Sequence, residues 1–354
     1  MGQPAPDLSS DVRVVFGAGS RASVAAEVRK LGLSKALVLA TPHQHDAALG
    51  IAEHLGNLAV GVFCKAEMHT PVHVTEAAMA HVIETKADCV VSIGGGSTIG
   101  LGKAIAYRTG LTQVVIPTTY AGSECTPILG QTENGVKTTL RDPSVLPEVI
   151  LYDAELVRTL PLGMTVTSAL NAMAHAAEAL YATNRTLETT ALAVQGLKAF
   201  VDGLPKVLQD PWDLKAREET QRGAWACGTV LGQADMALHH KLCHTLGGSF
   251  NLPHADTHAI ILPHAIAYNA RAAAKDLTPI CDLLGGTNAG TALYSFAKSM
   301  NAPLALKELG LKADDLERAA DLATMKPYPN PQPVTRDDIL ALLTAAWAGD
   351  TPIE

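Results

Sequence analysis

Hydrophobic positions in the first 150 residues fall into short continuous runs rather than strict alternations. Val12 to Phe16, Ala36 to Ala40, Leu58 to Phe63, Cys89 to Ile93 and Gln113 to Ile116 are apolar or β-branched stretches bounded by turn residues, and they predict strands. Between them the period changes to that of a helix, with Val24, Val28 and Leu31 on one face and Val74, Ala78 and Val82 on another. Continuous apolar strands separated by helices predict a parallel sheet covered on both faces. Beyond about Asp153 the strand-like runs stop. Ala- and Leu-rich stretches such as Thr167 to Ala182 and Thr189 to Val201 predict helices, with Pro161, Pro205, Pro211, Pro253 and Pro263 as punctuation. The Pro-rich stretch from Lys326 to Pro333 reads as a rigid loop before a last helix, Arg336 to Trp347. The expected architecture is an α/β Rossmann-like domain over residues 1–157, followed by an all-α domain over 158–354, with a cleft between them suited to small molecules.

Composition narrows the function. The chain has 354 residues, enough for two cores, and 35 acidic against 27 basic residues give a net charge of −8. With no basic block and 4% aromatics, nucleic acid is a poor partner. No uncharged apolar run is long enough for a membrane span, and Met1 to Asp7 lack the basic and apolar regions of a signal peptide. Six dispersed cysteines with no Cys-x-x-Cys predict reduced thiols, hence a cytoplasmic protein.

Two regions carry candidate chemistry. The turn Ser92-Ile93-Gly94-Gly95-Gly96-Ser97-Thr98 follows a strand and opens a helix, where backbone N–H groups and the helix dipole favour a phosphate. Ile99 stands where a Gly-x-Gly-x-x-Gly fingerprint starting at Gly94 needs glycine, and Ser97 and Ala104 break a P-loop. A Ser/Thr-rich loop, Pro117 to Thr126, follows the next strand and suits ligand hydrogen bonding. Further on, Asn171 and His175 stand four apart on one helix face with Glu178 a turn beyond; His240 and His244 repeat the spacing on a helix that Gly247-Gly248 should end. His254 lies in a following turn, and six of the 13 histidines fall between His239 and His264.

Asn171-x3-His175, His240-x3-His244-x9-His254, the Gly-Gly-Gly-Ser turn and the Pro-Thr-Thr…Gly-Ser-Glu loop resemble the iron-dependent alcohol dehydrogenase family over roughly Val14 to Trp347. The resemblance implies a domain holding NADH or NADPH, a helical domain carrying the metal ligands, and a homodimer. By family position the cofactor residues are Thr41, Gly95, Gly96, Ser97, Thr118, Thr119, Ser123 and Lys137. Thr41 stands where NAD-selective relatives carry Asp, so use of both cofactors is expected.

The family's metal is held by Asp and three His, and those positions here are Asn171, His175, His240 and His254. The neutral Asn171 cannot offset a metal's charge, so the expectation is a vestigial site with no tightly bound metal. Gly100 and Gly102 in place of Asp and Ala, the shortened Thr118-Thr119-Tyr120-Ala121-Gly122-Ser123 loop, and His239-His240-Lys241-Leu242-Cys243-His244 resemble the branch of the family that reduces maleylacetate. So does Glu133 to Thr139. The resemblance then implies hydride transfer to an alkene conjugated to a ketone in a small dicarboxylate, giving 3-oxoadipate. His240, His175 and His254 would bind the substrate's oxygens, His244 would supply a proton, and Lys241 and Tyr120 would hold carboxylates. Alternatives are a metal-dependent alcohol dehydrogenase acting on a small aldehyde or hydroxy acid, a lyase resembling dehydroquinate synthase, and an inactive nucleotide-binding module.

Overall fold

The computed structural model describes residues 12–353, apart from the side chain of Lys137. Met1 to Asp7 therefore lie outside the described residues. The chain divides into two compact units, one of residues 1–160 with 212–221, the other of residues 161–211 with 222–354.

In the first unit, strands β1 (Arg13–Phe16), β2 (Ala36–Leu39), β3 (Ala59–Phe63), β4 (Cys89–Gly94) and β5 (Thr112–Pro117) form where the apolar runs predict them. A further strand, β8 (Val149–Tyr152), completes a six-stranded sheet in the order β1-β8-β5-β4-β2-β3, and every pairing in it is parallel. Helices α1 (Val24–Lys30), α2 (His45–Leu55), α3 (Val72–Thr85) and α4 (Gly96–Thr109) alternate with these strands, and the short α5 (Ala154–Val157) follows β8. Strand residues alternate between two cores, as the period of two requires. Val38, Val91 and Val114 pack with Val24, Val28 and Ile51 on one face. Leu37, Leu39 and Val90 pack with Val74, Ala78, Leu101 and Ile105 on the other.

Besides β8, a two-stranded hairpin lies outside the predicted apolar runs. Strands β6 (Ile128–Glu133) and β7 (Val136–Arg141) make an antiparallel hairpin turned at Asn134 and Gly135, with φ of 50° and 75°. Asn-Gly is the preferred pair for a two-residue hairpin turn that needs positive φ at both positions.

The second unit is helical, with α6 (Leu162–Ala179), α7 (Leu187–Gln209), most of α8 (Leu214–Gln233), α9 (Leu238–Phe250), α10 (His254–Ala273), α11 (Thr278–Leu284), α12 (Ala289–Ser299), α13 (Leu316–Thr324) and α14 (Arg336–Ala348). Leu238, Leu242 and Leu246 of α9 share a core with Ile260, Ile261, Ala320 and Leu343. Three boundary expectations are corrected. Pro205 and Pro263 lie inside α7 and α10 rather than ending them. Burial of nearly every residue from Thr257 to Asn269 outweighs the local cost of Pro263. Gly247-Gly248 does not stop α9, which runs on to Phe250 and ends at Asn251 with φ of 55°. His254 is the first residue of α10 rather than part of a turn. Among the described residues no helix is long and apolar enough to cross a membrane.

Candidate active site

In the first unit the glycine turn joins β4 to α4, and its glycines serve different ends. A Cβ on Gly94, whose φ is 154°, would stand 2.4 Å from Thr98 Oγ1, and one on Gly95 2.9 Å from Thr119 Cγ2. A Cβ on Gly96, at the first position of α4, meets nothing within 4 Å, so this end of the turn is open to a ligand. Gly100 and Gly102 answer to packing, since added Cβ atoms would meet Thr70 Oγ1 at 2.3 Å and Ser92 Oγ at 2.5 Å.

Around this turn the fold gathers several of the expected cofactor residues. Gln44 Nε2 donates to Thr118 Oγ1 at 2.9 Å and Thr41 Oγ1 donates to Gln44 Oε1 at 3.3 Å, which joins Thr41 to Thr118. The Thr118 amide donates to Gly94 O at 3.0 Å. Ser123 is fixed from beneath by Lys103, whose ammonium donates to Ser123 O and Thr126 O, both at 2.6 Å, and to Thr126 Oγ1 and Ile128 O, both at 3.0 Å. Burial pulls Lys103 down to about 7, against the raising effect of the Glu124 carboxylate. Neither Gln44 nor Lys103 stood out in the sequence, because each acts through a partner distant along the chain. The Lys137 side chain lies outside the described residues. Tyr120, expected to reach substrate, is instead fully buried, with its hydroxyl bonded to Thr220 at 2.9 Å and Arg217 at 3.3 Å.

In the second unit α6, α9 and α10 bring the predicted histidines together. The ring centroids of His175 and His240 are 5.2 Å apart, and those of His240 and His244 6.1 Å. His258, which belongs to none of the spaced motifs, lies 5.2 Å from His240 and 4.2 Å from His254, and so links the two. His239 Nε2 and His258 Nδ1 share a 3.0 Å hydrogen bond, with Cys243 Sγ 3.6 Å from the same His239 nitrogen. Asn171, His175 and His240 are buried, whereas His244 and His254 are exposed and Lys241 is half-buried. Burial, reinforced by neighbouring imidazoles, holds His175 and His258 well below the ordinary histidine range, and burial likewise takes His239 to about 3. These three are therefore neutral at physiological pH.

The charge in this cluster comes from Glu178, which is fully buried. Its Oε2 lies 2.6 Å from His240 Nδ1 and accepts from the Ala237 amide at 3.0 Å, while Oε1 accepts from the His239 amide at 2.8 Å. Burial alone would raise its pKa, but the hydrogen bond with His240, the pull of the His240 and His239 rings and the Ala237 N–H outweigh it and lower it to about 2. With its Nδ1 engaged, His240 presents Nε2 to the site, and that nitrogen has no hydrogen-bond partner. Asn171 Oδ1 and His175 Nδ1 are likewise buried and unsatisfied. These three orphaned polar atoms, on Asn171 and His175 of α6 and on the ring that Glu178 holds, fit a cation or a substrate oxygen.

Comparison with known proteins agrees with this geometry. A family model for iron-containing alcohol dehydrogenases matches residues 11–154, and one for the C-terminal part of the Fe-containing alcohol dehydrogenase family matches residues 165–347. The chain is 58% identical over 350 residues to the maleylacetate reductase of Rhizobium sp. (strain MTP-10005), covering 99% of each chain. It is 50% identical over 341 residues to that of Sphingobium indicum, covering 96% of this chain and 97% of the other. The crystal structure of maleylacetate reductase from Agrobacterium tumefaciens superposes with a TM-score of 0.96 at 57% identity, covering 99% of this chain and all of that one.

The family match overturns the expectation of no tightly bound metal, because both models describe an iron-containing family. The physical argument behind that expectation fails at Glu178. Asn171 is neutral, but the buried carboxylate behind His240 supplies the negative charge that a cation needs, and the donor atoms of Asn171, His175 and His240 remain unsatisfied. Matched across both of its units, the chain belongs to the iron-containing alcohol dehydrogenase family.

Proposed function

We propose that this chain reduces the carbon–carbon double bond of maleylacetate, taking hydride from NADH or NADPH, to give 3-oxoadipate. The observation that carries the reading is the buried Glu178–His240 pair at the head of the His-His-Lys-Leu-Cys-His helix, in a chain 58% identical to a maleylacetate reductase.

In this reading the cofactor's pyrophosphate lies at the open end of the Gly95-Gly96-Ser97 turn, against the α4 N-terminus. Thr118, Thr119 and Ser123 line the dinucleotide, Lys137 joins them by family position, and Thr41 takes the ribose end. Since Thr41 brings no charge to repel a 2′-phosphate, both cofactors serve, and a preference above a hundredfold for either would contradict this.

Hydride goes to the alkene carbon β to the ketone, and the charge spreads into an enolate. Where the family's metal is bound, Asn171 Oδ1 with His175, His240 and His254 would hold it, supplying Lewis-acid polarisation of a ketone oxygen. The residues' own work is separate from that. His240, fixed by Glu178, and His175 border the substrate's oxygens, and Lys241 meets a carboxylate. His244, exposed beside His240, or a water it orients, delivers a proton to the α-carbon, which balances the addition of one hydride and one proton.

The reading extends to a homodimer in the cytoplasm, resting on the family resemblance and on six free cysteines. Mixing the protein with NADH and maleylacetate tests the central reading. Loss of the nicotinamide absorbance with formation of 3-oxoadipate supports it, and a cofactor left unoxidised by maleylacetate but consumed by a simple aldehyde refutes it.

A further inference from the structure

The first four N–H groups of a helix have no partner within it. In α9, which carries His240 and His244, the residue before the helix is Ala237, whose side chain cannot cap. The amides of Ala237, His239 and His240 turn to Glu178, at 3.0, 2.8 and 3.4 Å. The remaining amide, of Leu238, donates to Asn330 Oδ1 at 3.3 Å, across 92 residues of sequence.

Asn330 reaches Glu178 by a second route. Its Nδ2 donates to Asn269 Oδ1 at 2.7 Å while Asn269 Nδ2 donates back to Asn330 Oδ1 at 2.9 Å, a reciprocal amide pair. Asn269 Nδ2 also donates to the Tyr181 hydroxyl at 3.0 Å, and that hydroxyl donates to Glu178 Oε1 at 3.2 Å. Asn330 sits between Pro329 and Pro331, and its Nδ2 makes a further bond to Gln332 O at 2.7 Å. The flanking rings fix φ on both sides and bias Asn330 to an extended backbone, so little conformational freedom remains for the strap to lose.

We infer that Asn330, delivered by the Pro-rich strap before the last helix, is a positioning residue that sets the aim of His240. It completes the cap of α9 that Glu178 begins, and through Asn269 and Tyr181 it fixes the carboxylate that holds His240 Nδ1. The inference rests on the proposed role of His240 in the reaction, but the orientation itself is measurable without substrate.

The test compares the parent protein with Asn330→Ala and Tyr181→Phe, the latter removing one hydroxyl and little volume. Histidines are labelled with nitrogen-15, and the His240 ring signals are identified by their loss in His240→Asn. We expect a His240 Nδ1 proton shifted downfield by the Glu178 bond in the parent. In Asn330→Ala that signal should move or broaden, kcat for maleylacetate should fall about tenfold, and KM for NADH should stay within twofold. Tyr181→Phe should shift the same signal and lower kcat in the same direction, so it decides the matter if Asn330→Ala does not fold. A His240 signal and a kcat within twofold of the parent in the folded variants, with only a lower melting temperature, would overturn the inference. If the parent does not reduce maleylacetate, the proposed function fails, while the His240 signal still decides whether Asn330 positions the ring.

Discussion

Glu178 Oε2 stands 2.6 Å from His240 Nδ1, and the same carboxylate caps the helix on which His240 rides. One buried anion thus fixes both the backbone and the ring of the central histidine, and its charge favours the positive end of the helix dipole. Replacing it with the near-isosteric amide, Glu178→Gln, removes the charge and an acceptor while keeping the volume. Turnover should fall by about 10–100-fold, the usual cost of losing the partner of a functional histidine. Thermal denaturation should also show a less stable protein, because a buried pair has lost one member. Steady-state kinetics and a melting curve on the same sample check both.

Asn171 supplies a neutral oxygen where the resemblance expects a carboxylate. If Asn171 Oδ1, His175 and His240 surround a cation, Asn171→Asp adds a charge to the donor set, and affinity for a divalent metal should rise at least about tenfold. Metal content after dialysis against a graded chelator series measures this. Unchanged retention would show that residue 171 does not face the cation.

His244 is exposed, with its ring 6.1 Å from that of His240. His244→Ala should lower kcat by about 10²-fold, in the range of a lost proton donor, with cofactor affinity unchanged. Titration of the variant with NADH by fluorescence separates the two effects, and an unaltered kcat would remove His244 from the proton transfer.

Acid sensitivity should also arise at a buried histidine outside the cluster. His264 in α10 is 2% exposed, neither ring nitrogen has a partner, and burial takes its pKa down to about 4. A histidine that is harder to protonate when folded lets the unfolded chain bind more protons below pH 6.5, so stability is full above that pH and falls as pH drops toward 4. The 2.5-unit difference corresponds to a loss on the order of 3 kcal/mol. In His264→Gln, which cannot charge, the slope of unfolding free energy between pH 6.5 and 4 should be shallower than in the parent. Urea denaturation at several pH values measures it.

The α/β alternation was legible because the sheet's central strands are buried on both faces and so leave continuous apolar runs such as Cys89 to Ile93. The β6–β7 hairpin left no such run, since Val136, Thr138 and Thr139 are exposed, and Asn134-Gly135 was its one readable sign. Within the site, helical spacing placed Asn171 with His175 and His240 with His244. It could not show that Glu178 bonds a histidine 62 residues away, nor that Asn330 caps a helix from 92 residues away. The expectation about the metal failed on that point, because the charge it sought at residue 171 lies behind His240 instead.

The destination of the hydride separates reduction of the alkene from reduction of the ketone. With cofactor carrying deuterium at its transferable position and maleylacetate as substrate, the product should be 3-oxoadipate with deuterium on the methylene β to an intact ketone. Deuterium on a carbinol carbon, with the double bond retained, would contradict it and show this chain to be reducing the carbonyl instead.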